Sequence, residues 1–366
     1  MQVRRSVAAL AFAALTFSSS LAAAADDVLN LYIWSDYLAS DTLDNFTAET
    51  GIKVNVDFFD SSEMLEAKML TGRSGYDVIV PNAPILARMI AAGLLPPLDI
   101  SKLPNLVNQD ADLLLRASVA DPRNRFSIIY LWGTSGLGYN VAKVAEILGD
   151  DAPTDSWALL FDPANAEKLS ACGIYVTDSP SDAFEPVLSY LGRNPRSQSE
   201  DDYNAAADLW GKIRPYITKF HSSEYIGALA NGDICLAMGY SGDVFQAADR
   251  AAEAGNGVEI AYSIPKEGAF IWFDFMAIPG DAPHPDAAHA FINYILKPEV
   301  IAAITNEVYY ANANAKAAEF VNPEILADPA IYPSPEKMEN LFLEQTPTQK
   351  VERMRTRLWS RIKSGM

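Results

Sequence analysis

Three histidines and two cysteines in 366 residues leave little from which to build a metal or thiol centre. His221, His284 and His289 form no HExxH and no zinc-spaced cluster with cysteine, and neither GxSxG nor GxxxxGK[ST] occurs. Positive charge is also scarce. With 28 Lys and Arg against 47 Asp and Glu, the net charge of -19 excludes the basic footprint of a nucleic-acid binder. A hydrophobic fraction of 49% in turn excludes a disordered chain. No catalytic, cofactor or metal motif is present, so the composition points to a protein that binds rather than transforms its partner.

What is present begins at the N-terminus. Arg4 and Arg5 precede an Ala-rich apolar stretch and the small-residue tract Ala22 to Ala25, the layout of a secretory signal peptide covering residues 1–25. The apolar stretch falls short of the ~20 residues that span a bilayer. Its removal would take away two arginines and no acid, so the exported chain is more acidic still. Export places Cys172 and Cys235 in an oxidising compartment, where an even pair is expected to form a disulfide worth roughly 4 kcal/mol.

The remaining length exceeds what one hydrophobic core usually organises, which predicts two lobes. LNLYIW (29–34), a helix over 41–50 stopped by Gly51, KVNVDFF (53–59), a helix opened by Asp60 and Glu63, and YDVIVP (76–81) follow in βαβαβ order. That order implies a parallel sheet with ligands beyond its carboxyl edge. Further strands are expected at 136–140, 173–177, 234–239, 259–264 and 270–278, and a helix from Pro285.

Carboxylates beside aromatics recur at strand ends. Trp34-Ser35-Asp36-Tyr37 follows the first strand, Tyr240-Ser241-Gly242-Asp243 follows another, and in Trp272-Phe273-Asp274 the period of two puts Trp272 and Asp274 on one face. An Asp at such a place is commonly a turn former or helix cap. Three clusters at equivalent places instead suit an organic cation, whose ammonium groups gain ~1.5 to 3 kcal/mol from a carboxylate and ~0.5 to 2 kcal/mol from an aromatic face. Paired carboxylates also suit a glycosidase, which stays open at this point.

The segments WSDY, TGIKVNVDFFDSSEMLEAKMLTGRSGYDVIVP, HSSEYIGALANGDICLAMGYSGDV, SIPKEGAFIWFDFMAIP and VYYANAN carry a resemblance. Together they resemble the periplasmic polyamine-binding proteins of ABC importers, of the putrescine- and spermidine-binding type, across essentially the whole exported chain. The resemblance implies an α/β, two-lobed type II periplasmic binding protein fold with two crossover strands and an interlobe ligand cleft. The crossovers would lie near 132–138 and 265–270. The lobes would comprise 26–133 plus 271–309 and 134–270 plus 310–366.

The implied ligand-binding residues are Trp34, Ser35, Asp36, Tyr37, Asn82, Asp182, Tyr240, Asp243, Trp272, Asp274 and Tyr310. Four depart from the putrescine-type pattern: Asn82 stands where serine is usual, Asp182 for glutamate, Tyr240 for tryptophan and Trp272 for phenylalanine. Trp272 resembles the spermidine-preferring members, so spermidine is the expected ligand and putrescine the alternative. Phe59, Tyr130, Trp132, Trp210 and Tyr309 are read as packing. The chain is thus expected to be a monomeric periplasmic component that delivers a polyamine to a membrane permease, without enzymatic activity, cofactor, metal or nucleic acid. A carbohydrate-acting hydrolase, and a polyamine sensor on the same fold, are the rival readings.

Overall fold

The computed structural model describes residues 28–343 and 347–365, so the expected signal peptide lies outside the described residues. β1 (Val28–Trp34) pairs in parallel with β2 (Lys53–Phe59) and β3 (Val78–Ile79), as the βαβαβ order required. The helix Thr42–Thr50 between β1 and β2 ends at Gly51, whose φ of 79° lies in the left-handed region that glycine enters without steric cost. The next helix, Ser62–Leu70, is capped by Ser61, whose hydroxyl accepts from the Met64 amide. Asp60, expected to open it, instead accepts from the Ser35 hydroxyl.

β4 (Ser127–Asn140) is the longest strand, and all of it is buried except the half-buried Tyr139. Near-continuous burial marks a strand covered on both faces. Beyond it lie β5 (Ile174–Val176), β6 (Lys219–Phe220), β7 (Leu236–Tyr240), β8 (Ile260–Ser263), β9 (Ala269–Ala277), β10 (Ala311–Asn312) and β11 (Leu341–Leu343). The strand order is β2-β1-β3-β9-β4-β7-β5-β6. β4 bonds β9 through residues 127–134 and β7 through residues 135–139, so it runs from one lobe's sheet into the other's. Its glycines permit the passage. A Cβ at Gly136 would stand 2.4 Å from the Ser263 carbonyl oxygen, and one at Gly133 2.7 Å from the Trp272 ring.

The lobes have separate cores. The first includes Leu31, Val80, Tyr130, Phe273 and Phe291; the second includes Trp157, Phe184, Trp210 and Trp359. Allotting all of 310–366 to the second lobe proves wrong. Residues from Tyr310 to Ile331 join the first core because β10 pairs with Leu131 and Trp132 on the first-lobe half of β4. β11 pairs with β9, and the core residues of the C-terminal helix Gln349–Ser364 pack into the second lobe.

The expected disulfide is also corrected: Cys172 and Cys235 are free thiols. Cys235 Sγ is buried and donates toward the carbonyl oxygens of Leu169 (3.6 Å) and Gly173 (3.7 Å). Burial and the neighbouring Cys172 both push its thiol pKa up, which disfavours the thiolate that disulfide exchange requires.

Candidate functional site

A cavity with about 750 Å³ of open space, counting its mouth, lies where the lobes face each other. Ten of the eleven residues named above line it: Trp34, Ser35, Tyr37, Asn82, Asp182, Tyr240, Asp243, Trp272, Asp274 and Tyr310.

The first lobe builds one wall from strand ends. Trp34 closes β1 and is fixed by its Nε1, which donates to the Val80 carbonyl at 3.0 Å, and by its ring, 4.4 Å from that of Phe59. Phe59, read as packing, does pack, and it lines the cavity as well. Asn82 accepts from the Ile85 amide at 3.2 Å to cap the helix Ala83–Ala91, and donates to the Ser62 hydroxyl at 2.9 Å. It is therefore a helix cap as much as a cavity residue. Trp272 and Asp274 share one face of β9, as the strand period predicts. Rings follow one another edge to face: Tyr37 to Tyr310 at 5.2 Å, Tyr310 to Trp272 at 5.1 Å, and Trp272 to Tyr240 at 5.8 Å.

Asp36 is the exception. The chain turns left-handed there (φ 52°), and the carboxylate accepts from Arg250 Nη2 at 2.9 Å, outside the cavity lining. Arg250 belongs to the second-lobe helix Ser241–Ala254, so this ion pair links the lobes at the surface. Tyr309, expected in the core, ends the helix Pro298–Val308 in the left-handed region (φ 58°) and stacks on Phe245.

The second lobe presents two acids, each in the first turn of a helix where the macrodipole favours an anion: Asp182 in Pro180–Tyr190 and Asp243 in Ser241–Ala254. A tyrosine hydroxyl donates to each of the three buried acids of the cavity; the fourth acid of its lining, Asp60, is exposed and accepts from the Ser35 hydroxyl. Tyr240 reaches Asp182 Oδ2 at 2.5 Å and Tyr37 reaches Asp274 Oδ2 at 2.9 Å. Asp243 receives two, from Tyr225 at 2.6 Å and from Tyr310 at 2.5 Å. The last of these crosses between lobes. Tyr225 went unrecognised because it sits in the apolar helix Tyr225–Ala230 and reaches Asp243 only through the tertiary fold. The serines at 61, 62, 179, 181, 222 and 223 also line the cavity. They stand in the runs DSS, DSPS and HSS, each just ahead of a helix. His221, assigned no role, accepts from the Ser223 and Glu224 amides and so shapes the last of these runs.

Burial dominates the electrostatics. It pushes the carboxyl groups of Asp182 and Asp243 up to about 6 and that of Asp274 up to about 7, against the lowering effect of the tyrosine hydroxyls. Asp182 raises Asp274 further. Tyr37, Tyr225, Tyr240 and Tyr310 are pushed well upward, first by burial and then by the adjacent carboxylates, so they remain hydroxyl donors. Among the described residues none of the three acids forms a salt bridge, and no group of His, Cys, Asp and Glu could hold a metal ion. The site is three desolvated carboxylates in an aromatic ring, short of positive charge.

Gly242 lets the two walls approach. A Cβ there would stand 2.5 Å from the Val308 carbonyl oxygen and 2.6 Å from the Tyr310 ring. Because the first of these atoms is backbone, Gly242→Ala is expected to displace Tyr310 from Asp243 and weaken ligand binding by about tenfold, the cost of one charge-assisted hydrogen bond. Calorimetric titration of the folded variant checks this.

Comparison with known proteins gives a consistent picture. The profile of the family described as "Bacterial extracellular solute-binding protein" matches residues 41–333. The putrescine-binding periplasmic protein PotF of Escherichia coli is 49% identical over 97% of this chain and 96% of its own. The putrescine-binding periplasmic protein SpuD of Pseudomonas aeruginosa is 51% identical over 96% and 97%. Among solved structures, the spermidine/putrescine ABC transporter substrate-binding protein PotD of Streptococcus pneumoniae superposes with a TM-score of 0.74 at 30% identity, over 92% of this chain and 99% of that one.

Proposed function

This chain belongs to the bacterial extracellular solute-binding protein family, and from that membership we propose that it captures linear polyamines of the putrescine and spermidine class between its lobes. It works as a monomeric periplasmic component that hands its cargo to an ABC permease. Its relatives are named as binding proteins and its family as solute-binding, which leaves no place for the hydrolase alternative: the chain is not an enzyme.

One observation carries the reading. Three buried carboxylates, each oriented by a tyrosine hydroxyl, face a ring of aromatic edges without a cation inside it. Ammonium groups supply the missing charge and the rings cover the methylene spacer. The relatives named above as putrescine-binding support a diamine. A second reading, preference for spermidine, is supported by the three buried acids, one for each ammonium of a trication, and by the large face of Trp272.

Thermal shift and calorimetry with putrescine, cadaverine, spermidine and spermine test both. At 100 times its dissociation constant a true ligand stabilises by about 2.7 kcal/mol. No shift with any of the four sinks the polyamine reading. Trp272→Phe is expected to move the spermidine-to-putrescine affinity ratio toward putrescine, and an unmoved ratio would sink the spermidine reading alone.

A further inference from the structure

One buried cation has no task in the site as described. Arg355, in the middle of the C-terminal helix, is 2% exposed. A guanidinium taken out of water requires acceptors around it. Its Nη1 lies 3.3 Å from Glu185 Oε1, and its Nε donates to the Pro180 carbonyl at 3.3 Å. Both acceptors belong to the helix Pro180–Tyr190, whose first turn carries Asp182 into the cavity. The C-terminal helix grips the same segment a second time. Trp359 Nε1 donates to Asp178 Oδ1 at 3.0 Å, and Lys363 Nζ to both Asp178 oxygens at 2.7 and 2.9 Å. A small cavity lined by Arg355 and Glu352 shares Ser62, Asn82 and Ser181 with the main one, so the guanidinium stands just behind the site wall.

Asp182 and Glu185, three residues apart on one helix, share a face and compete for this charge. Burial pushes the Glu185 carboxyl up to about 7 even with Arg355 beside it, and among the described residues its Oε2 has no hydrogen-bond partner. The same guanidinium also lowers the carboxyl of Asp182. The other groups that face this cluster are Tyr240 from β7, Asp274 from β9, Glu63 from the helix Ser62–Leu70, Tyr203 from the helix Glu200–Ile213 and Glu352 from the C-terminal helix, together with two cations, Arg88 from the helix Ala83–Ala91 and Arg196.

We propose that Arg355 is the positioning residue for Asp182: clamped between the Pro180 carbonyl and Glu185, it fixes the first turn of that helix and supplies the positive charge that holds Asp182 as a carboxylate. The C-terminal helix, although remote in sequence, thereby sets how strongly one end of the cavity grips an ammonium group. This inference rests on the polyamine reading of the site.

The test is calorimetric titration of the protein with spermidine and putrescine from pH 5 to 8.5. Arg355→Met is expected to move the pH below which affinity falls upward by about one unit, which weakens binding about twofold at pH 7 and about tenfold at pH 5. Glu185→Gln, nearly isosteric and leaving Arg355 in place, is expected to move that pH the other way, and Arg355→Lys to restore most of the loss. In an Asp182→Asn background Arg355→Met has no further effect. Glu185→Gln keeps the inference falsifiable if Arg355→Met does not fold. An unmoved or raised midpoint in Glu185→Gln overturns it, as does an Arg355→Met loss that is undiminished in Asp182→Asn. Absence of any polyamine binding by the unaltered protein overturns the reading of the site and this inference with it; bound polyamine with unmoved midpoints overturns this inference alone.

Discussion

Asp274→Asn is expected to raise the dissociation constant for a polyamine about 100-fold while leaving the unliganded protein at least as stable as the parent. The two effects come from one cause. Asp274 is 6% exposed on β9, and burial holds its carboxyl at about 7, so ionising it before a cation arrives costs free energy. Asparagine removes that cost. It also keeps an oxygen for the Tyr37 hydroxyl, which stands 2.9 Å away. Toward the ligand, however, the change replaces an anionic acceptor by an amide that has two donors of its own, facing an ammonium that only donates. Hydrogen bonds to charged groups are worth about 1.5 to 3 kcal/mol, and the donor-to-donor contact adds to the loss, which places the effect near the upper end of a 10- to 150-fold range. Titration calorimetry measures the first effect and thermal unfolding without ligand the second. An affinity within threefold of the parent would remove Asp274 from the site. A large fall in unliganded stability would show that its charge is structural.

How much of this could be read from the chain depends on how local each signal is. The βαβαβ order was legible because Gly51 and the apolar runs of β1 and β2 are local features, and β1 does pair in parallel with β2 and β3. Trp272 and Asp274 were legible as a pair because a strand's period is fixed. Asp36 was not: its neighbours in WSDY line the cavity, but one left-handed residue turns the backbone and its partner, Arg250, lies 214 residues away. The same holds for Tyr225, whose apolar helix gives no sign that its hydroxyl meets Asp243, and for Arg355, whose acceptors lie 170 or more residues earlier in the chain. The allotment of 310–331 failed for a related reason. Strand β10 is two residues long, too short to show a pattern, yet its pairing with β4 decides which core the segment joins.

The raised carboxyls predict opposite pH trends for the free and the ligand-bound protein. Asp182 and Asp243 titrate near 6 and Asp274 near 7 in the folded chain, against 3.8 for an unperturbed aspartate. Between pH 4 and 7 the folded state therefore binds more protons at these positions than the unfolded state does. Stability falls as pH rises wherever that holds, so these groups destabilise the free protein progressively from pH 4 to about 7 and then no further. A two-unit rise in one buried group corresponds to roughly 3 kcal/mol at full effect. Binding runs the other way, because an ammonium pairs with the carboxylate and not with the acid. Lowering the pH from 8 to 5 must then be paid in protons removed from whichever acids the ligand uses. Affinity is expected to fall by about two to four orders of magnitude over that range, two if Asp274 alone limits it and four if all three acids must ionise. Near pH 6.5 binding should also release protons, more for a trication than for a dication. Calorimetry in buffers of different ionisation enthalpy counts them. Equal proton release by putrescine and spermidine would mean that the third amine meets no titrating acid, and an affinity unchanged at pH 5 would mean that none of the three carboxylates meets the ligand.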